Sequence, residues 1–322
     1  MALRIAASLL VLLALTGPAA AQLDPRRPIR LIVGFGSGSV LEVGARAIAE
    51  PLQQRLGNPI VVENRPGGGG SIANELVARA APDGHTLVVG GLGSHAVLPA
   101  IRRRLSFDME RDFTAIARFG EFPLVLMVAN NAPAQTVQEF VALARARPGQ
   151  LNFGTSGVGT SPHLTVEMLR LRTGIQIAHV PYRGTAGTSA ALIAGEVQLT
   201  ADALPAVLGL IQQNALRALA LTSAARSPEL PNVPTLQESG LPDFVVTSWI
   251  GIFGPAGMSP ALVSQLSAAI LDAARTPEGA ARLRALGATP IFEDAATFDA
   301  GWRRDIATFR TVVRDAAVPL ED

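Results

Sequence analysis

Three segments of this chain set a side-chain-poor loop rich in Gly and Ser between an apolar run and a helix-forming one. Gly34-Phe35-Gly36-Ser37-Gly38-Ser39 follows Ile29-Arg30-Leu31-Ile32-Val33, and Gly90-Gly91-Leu92-Gly93-Ser94-His95 follows Thr86-Leu87-Val88-Val89. Gly154-Thr155-Ser156-Gly157-Val158-Gly159-Thr160-Ser161 follows Leu151-Asn152-Phe153. Loops of this kind present backbone N–H groups and hydroxyls at helix N-termini, where the helix dipole is positive. They hold an anion without a charged side chain. Three of them predict a shared cleft for a small carboxylate or phosphate.

Other chemistries fit less well. The chain has no Cys and no Lys; all 27 basic residues are Arg. Thiol nucleophiles, disulfides, Schiff bases and the P-loop lysine are thereby excluded. The first loop resembles a dinucleotide fingerprint with Glu63 as the ribose acid, but Ser39 stands where the third glycine belongs. No G-x-S-x-G occurs, and His85, His95, His163 and His179 show no zinc-type spacing. No catalytic residue, cofactor or metal site is expected, and the chain reads as a binding protein rather than an enzyme. Charge is nearly balanced, 27 basic against 26 acidic residues, which gives no electrostatic case for nucleic acid.

The elements that must position these loops alternate strand and helix, which predicts α/β layers with largely parallel strands. In the first unit, strands are expected over 29–33, 59–63 and 86–89, with helices over 41–55 and 71–80. Residues 114–117 and 124–129 read as extended segments leaving that unit. A second unit follows, with helices near 136–147, from 161, and over 188–194, and strands over 151–153, 176–180, 197–200 and 216–222. Residues 223–243 are loop-like, 245–253 is a returning strand, and the last helices cover 259–275, 276–286 and 297–313. Two crossings between two units predict a hinged cleft. The expected lobes are 22–122 with 251–322, and 123–250. Residues 1–21 read as a secretory signal peptide: Arg4, an apolar run over 5–15, and cleavage after Ala21. A periplasmic location follows. No later stretch approaches the ~18 apolar residues of a membrane span.

Several stretches resemble the periplasmic solute-binding receptors of tripartite tricarboxylate transporters, also called the Bug family. They are Arg27-Pro28-Ile29-Arg30-Leu31-Ile32-Val33, Val61-Val62-Glu63-Asn64-Arg65-Pro66-Gly67 and Pro82-Asp83-Gly84-His85-Thr86-Leu87. His179-Val180-Pro181-Tyr182-Arg183-Gly184, 216–223 and Trp249-Ile250-Gly251-Ile252-Phe253-Gly254-Pro255-Ala256-Gly257 follow in family order. The resemblance implies a type II periplasmic-binding-protein-like α/β fold, two lobes with ligand between them, and a membrane permease as partner of a monomeric receptor. The ligand it implies is a small carboxylate. The ligand-binding positions it implies are Phe35, Gly36, Ser37, Gly38, Ser39, Ser94, His95, Ser156, Gly157, Gly159, Thr160, Tyr182, Gly184, Thr185, Ala186 and Asp202. Departures gather in the first loop: Gly34, Gly36 and Ser37 stand for common prolines, Leu41 for Ser or Thr, and Glu42 for Asp. Leu98 and Ala201 stand for a common Asn and a common aromatic. Leu41 would remove a hydroxyl contact and favour a less polar or aromatic carboxylate. A sensor that signals to a membrane kinase would carry the same soluble chain.

Overall fold

The computed structural model describes residues 23–321. The expected leader and its cleavage point at Ala21 lie outside the described residues. The first elements are β1 (Ile29–Val33), α1 (Val40–Leu56), β2 (Ile60–Asn64), α2 (Ser71–Ala78) and β3 (Thr86–Gly90). A π-helical turn, Gly93–Val97, leads into the short α3 (Leu98–Ile101) and then β4 (Phe113–Ala129). Next come α4 (Val137–Ala146), β5 (Leu151–Thr155), α5 (Ser161–Thr173), β6 (Ile177–Pro181), α6 (Gly184–Ala194), β7 (Leu199–Ala203), α7 (Leu204–Gln212) and β8 (Leu216–Leu221). The chain closes with β9 (Thr247–Pro255), α8 (Pro260–Arg275), α9 (Pro277–Ala285), β10 (Thr289–Glu293) and α10 (Ala295–Asp315).

The strands form two halves that share β4. In one half β1 lies parallel between β2 and β3, and β9 joins β3 to the first part of β4 with antiparallel pairing. In the other, β5 lies parallel between β6 and β7, and both β7 and β8 run antiparallel to residues 124–129 of β4. The apolar run of β1 is that of a parallel strand covered on both faces, and all of it but Arg30 is buried. α1 turns Leu41, Ala45, Ile48 and Leu52 toward the sheet at helical spacing, and Gly57 ends it in the left-handed conformation.

Sequence expectation and structure differ at several places. The extended segments 114–117 and 124–129 are one 17-residue strand. Pro123 lies inside it, and a proline would be expected to break a central strand. It is tolerated because it sits at the changeover: Pro123 is the last residue paired with β9, opposite Thr247, and Leu124 the first paired with β7. α6 starts at Gly184 rather than 188, with the Thr188 hydroxyl donating back to the Gly184 carbonyl at 3.1 Å. α3, α7 and β10 have no counterpart among the expected elements. β10 is a short edge strand half-exposed along its length, so its periodicity is weak.

At the changeover the two crossings are joined by Thr222, which is fully buried. Its amide donates to the Leu124 carbonyl at 3.0 Å, and its hydroxyl reaches the Val246 carbonyl at 2.5 Å. The Leu124 amide in turn donates to that hydroxyl at 2.9 Å. One side chain thus ties both crossing strands. α10 extends across the same region: Phe298, Trp302 and Val312 share one core with Leu124 of β4 and Leu164 of α5.

Candidate functional site

The parallel strands of each half end along one edge: β2, β1 and β3 at Asn64, Val33 and Gly90, and β6, β5 and β7 at Pro181, Thr155 and Ala203. Ligands of open α/β sheets gather at such carboxyl edges. A cavity of about 190 Å³ opens there, lined by Phe35 and Ser39 of the first loop, Val40 and Leu41 at the start of α1, and Gly91, Leu92, Gly93 and Ser94 of the second loop, with Phe122 and Ser248 from the crossing strands. Among the described residues, no Arg, Asp or Glu lines it. A larger groove of about 800 Å³ lies between α8 and the start of α10, and none of the predicted positions lines it.

In the first loop, Gly36, Ser37 and Gly38 form an exposed tip, whereas Phe35 is half-buried and its carbonyl accepts from the Asn64 amide group at 2.9 Å. Ser39 caps α1, its hydroxyl accepting from the Glu42 amide at 3.4 Å. The Glu42 carboxylate accepts from the Gly38 amide at 3.2 Å and pairs with Arg46. The Arg46 hydrogen bond, supported by Gly38, holds this carboxyl below its usual range against the cost of burial. So the positive end of α1 already faces an internal anion. The signal was present in the sequence: Ser39 and Glu42 have capping-box spacing.

The second loop runs into the π-helical turn. The Ser94 hydroxyl accepts from the Gly91 amide at 3.3 Å and lies 2.9 Å from His95 Nδ1. His95 does not reach the cavity. It is 0% exposed, stacked on Phe253 with ring centroids 4.4 Å apart and set edge-on to Phe113 and Trp249. Gly90 permits this, since a Cβ there would lie 2.6 Å from Nδ1 of that ring. Burial drives the His95 pKa down to about 3, so the ring is neutral. The Trp302 indole donates to the His95 carbonyl at 2.7 Å and the Trp249 indole to Asp305 at 2.9 Å, which anchors the loop on α10. Burial raises the Asp305 carboxyl to about 6 although the Trp249 bond opposes it.

The third loop is closed on itself. The Thr155 hydroxyl donates to the Gly157 carbonyl at 3.0 Å, and the Thr160 hydroxyl to the same carbonyl at 2.9 Å. The Gly159 amide donates to His163 Nδ1 at 3.0 Å, and Thr160 caps α5. Gly159 has φ +66, a left-handed turn that glycine adopts without strain. Beneath the loop His163 stacks on His179 at 3.9 Å, and His179 Nε2 lies 2.7 Å from the Thr155 hydroxyl. Burial, with the neighbouring His163 adding to it, lowers the His179 pKa to about 4. Glu167 is buried beside His163; bonds from His163 and Arg170 outweigh its desolvation and keep it below the usual carboxylate range. The loop abuts the second one: a Cβ on Gly93 would lie 3.5 Å from the Ser161 hydroxyl.

Of the positions that the resemblance implies, the structure brings Phe35, Ser39 and Ser94 to the cavity wall. Ser156, Gly157, Gly159, Thr160, Tyr182, Gly184, Thr185, Ala186 and Asp202 do not line it. The Tyr182 hydroxyl donates to Glu196 at 3.2 Å. Asp202 is 6% exposed, accepts from the Ala203 amide at 2.8 Å and from Thr185, and has its pKa raised by burial against those two bonds. Phe122 and Ser248 escaped sequence reasoning. They are cross-strand partners from β4 and β9, brought together by register alone.

Residues 44–301 match the family described as the tripartite tricarboxylate transporter family receptor. "Protein BugT" of Bordetella pertussis is 33% identical over 95% of this chain and 94% of its own. Among solved structures, "R. palustris Rpa4515 with adipate" is 33% identical with a TM-score of 0.80, covering 92% of this chain and 99% of that one. "MatC (Rpa3494) from Rhodopseudomonas palustris with bound malate" is 31% identical with a TM-score of 0.76, covering 90% of this chain and 100% of that one. The expected fold is thereby shown: an α/β, type II periplasmic-binding-protein-like architecture of two lobes. The chain belongs to the tripartite tricarboxylate transporter family of receptors.

Proposed function

We propose that the chain is an extracytoplasmic solute receptor that captures a small organic carboxylate between its lobes and delivers it to a membrane permease. The lobes are 22–122 with 251–322, and 123–250, and the mature protein is a periplasmic monomer released by cleavage after Ala21. Binding is by lobe closure, with no covalent bond made or broken. The observation that carries this reading is the cavity itself: two Gly/Ser-rich loops meet residues of both crossing strands, Phe122 and Ser248, so a ligand there touches the hinge. The adipate and malate named with two solved relatives support a carboxylate.

The energetics permit it. Burying a carboxylate costs several kcal/mol after relaxation. Each hydrogen bond to the charged group returns about 1.5–3 kcal/mol. Three or four donors from the loops offset the cost, and lobe closure over apolar surface supplies the remainder. A thermal-unfolding panel of organic acids tests the reading. At 100-fold excess over Kd, the cognate acid adds about 2.7 kcal/mol of stability. A ligand recovered chemically altered after incubation would overturn the receptor assignment.

A further inference from the structure

We infer that the preferred ligand is an amphipathic monocarboxylate, whose hydrocarbon end fills the cavity between the first and second loops. This deepens the receptor reading and rests on it. Phe35, Val40, Leu41, Leu92 and Phe122 make the wall largely apolar, and Ser39, Ser94 and Ser248 supply its polar side chains. Leu41 and Leu92 are buried beside the cavity, and Phe122 is packed into the core behind it. The volume is about 190 Å³. A dry cavity of about 150 Å³ accepts a benzene ring, so this one holds a single ring or a short alkyl chain.

A second carboxylate does not belong there. Among the described residues, no cationic side chain lines the cavity. The positive end of α1, the nearest built-in compensation, is already engaged: Glu42, one residue past Leu41, takes the Gly38 amide. A ligand carboxylate pushed into this wall would face an unpaired desolvation cost and a like charge at the loop base. A hydrocarbon end meets neither.

Matched pairs that differ by one terminal carboxylate test this by calorimetry: hexanoate against adipate, and benzoate against benzene-1,4-dicarboxylate. The monoacid of each pair should bind at least tenfold tighter. Leu41→Ser should weaken hexanoate roughly tenfold, a hydroxyl replacing apolar contact in the pocket, while Leu41→Met retains it. Because Leu41 is also part of the core, Val40→Thr provides an isosteric check at a half-buried position and should weaken hexanoate several-fold. Equal or tighter binding of the diacids overturns the inference and leaves the receptor reading standing. Hexanamide binding as tightly as hexanoate overturns the carboxylate reading instead. Silence from every probe counts against both.

Discussion

The first and third loops have the same kind of sequence and opposite environments. Both are Gly/Ser-rich, both follow a strand, and both lead into a helix capped by a hydroxyl, Ser39 in one and Thr160 in the other. The first opens on an apolar cavity and keeps an internal anion, Glu42, at its base. The third is braced from below by the stacked pair His163 and His179, and its Gly159 amide is held by His163. A glycine-rich loop therefore supplies donors only where neighbouring side chains leave them available. Here those side chains decide which loop is closed on itself and which opens on the cavity.

The largest effect expected from breaking this contrast comes from the third loop. His163→Phe keeps the ring stack but removes the acceptor for the buried Gly159 amide. It should cost about 2–3 kcal/mol in denaturant unfolding, and a loss under 1 kcal/mol would show that the loop does not depend on this brace. Next is acid sensitivity. His95 and His179 have folded pKa values of about 3 and about 4, below the ordinary 6.5. Their stabilising effect is complete above pH 6.5 and is lost as pH falls toward those values. Asp305 works the other way: its carboxyl is raised to about 6, so it favours the fold at low pH and that contribution is lost as pH rises through about 6. With each group worth up to ~1.4 kcal/mol per pH unit, the net loss between pH 6.5 and 5 should be about 2 kcal/mol. Asp305→Asn should steepen it; an unchanged slope would refute the assignment.

A smaller effect is expected at the first loop. Glu42→Gln removes the charge from the start of α1 and from the Arg46 pair, costing about 1 kcal/mol of stability. It should also narrow the preference for hexanoate over adipate, and a widened preference would contradict the role given to Glu42. The smallest belongs to the exposed tip, where Ser37→Ala should change stability by less than about 0.5 kcal/mol. A larger change would mean that the tip is held by contacts the free receptor does not reveal.

Much of this was legible in the residues. Each of the three loops follows a strand, because an apolar run ending in Gly and Ser can continue neither as strand nor as helix until a cap appears. The family was legible from an ordered set of short stretches. His95 ends a cleft loop in the sequence yet lies in the core, for a specific reason. It ends a Gly-rich loop, but nothing local indicates that Gly90 leaves room for its ring against Phe253, a residue 158 positions away in sequence. The joining of 114–117 and 124–129 into one strand was hidden in the same way, since the changeover that tolerates Pro123 is set by pairing with Thr247 and the next residue's partner Ala203.

The sequence by itself determined the alternation of strands and helices, the places of the loops, and the absence of thiol and lysine chemistry. These follow from local backbone preference and from residue type, which need no distant partner. Only the tertiary structure decided which loop faces a cavity, which amides are already bonded, and that Phe122 and Ser248 complete the wall. Availability of a donor and the polarity of a surface depend on groups that folding brings together from far along the chain, and those contacts leave no local trace.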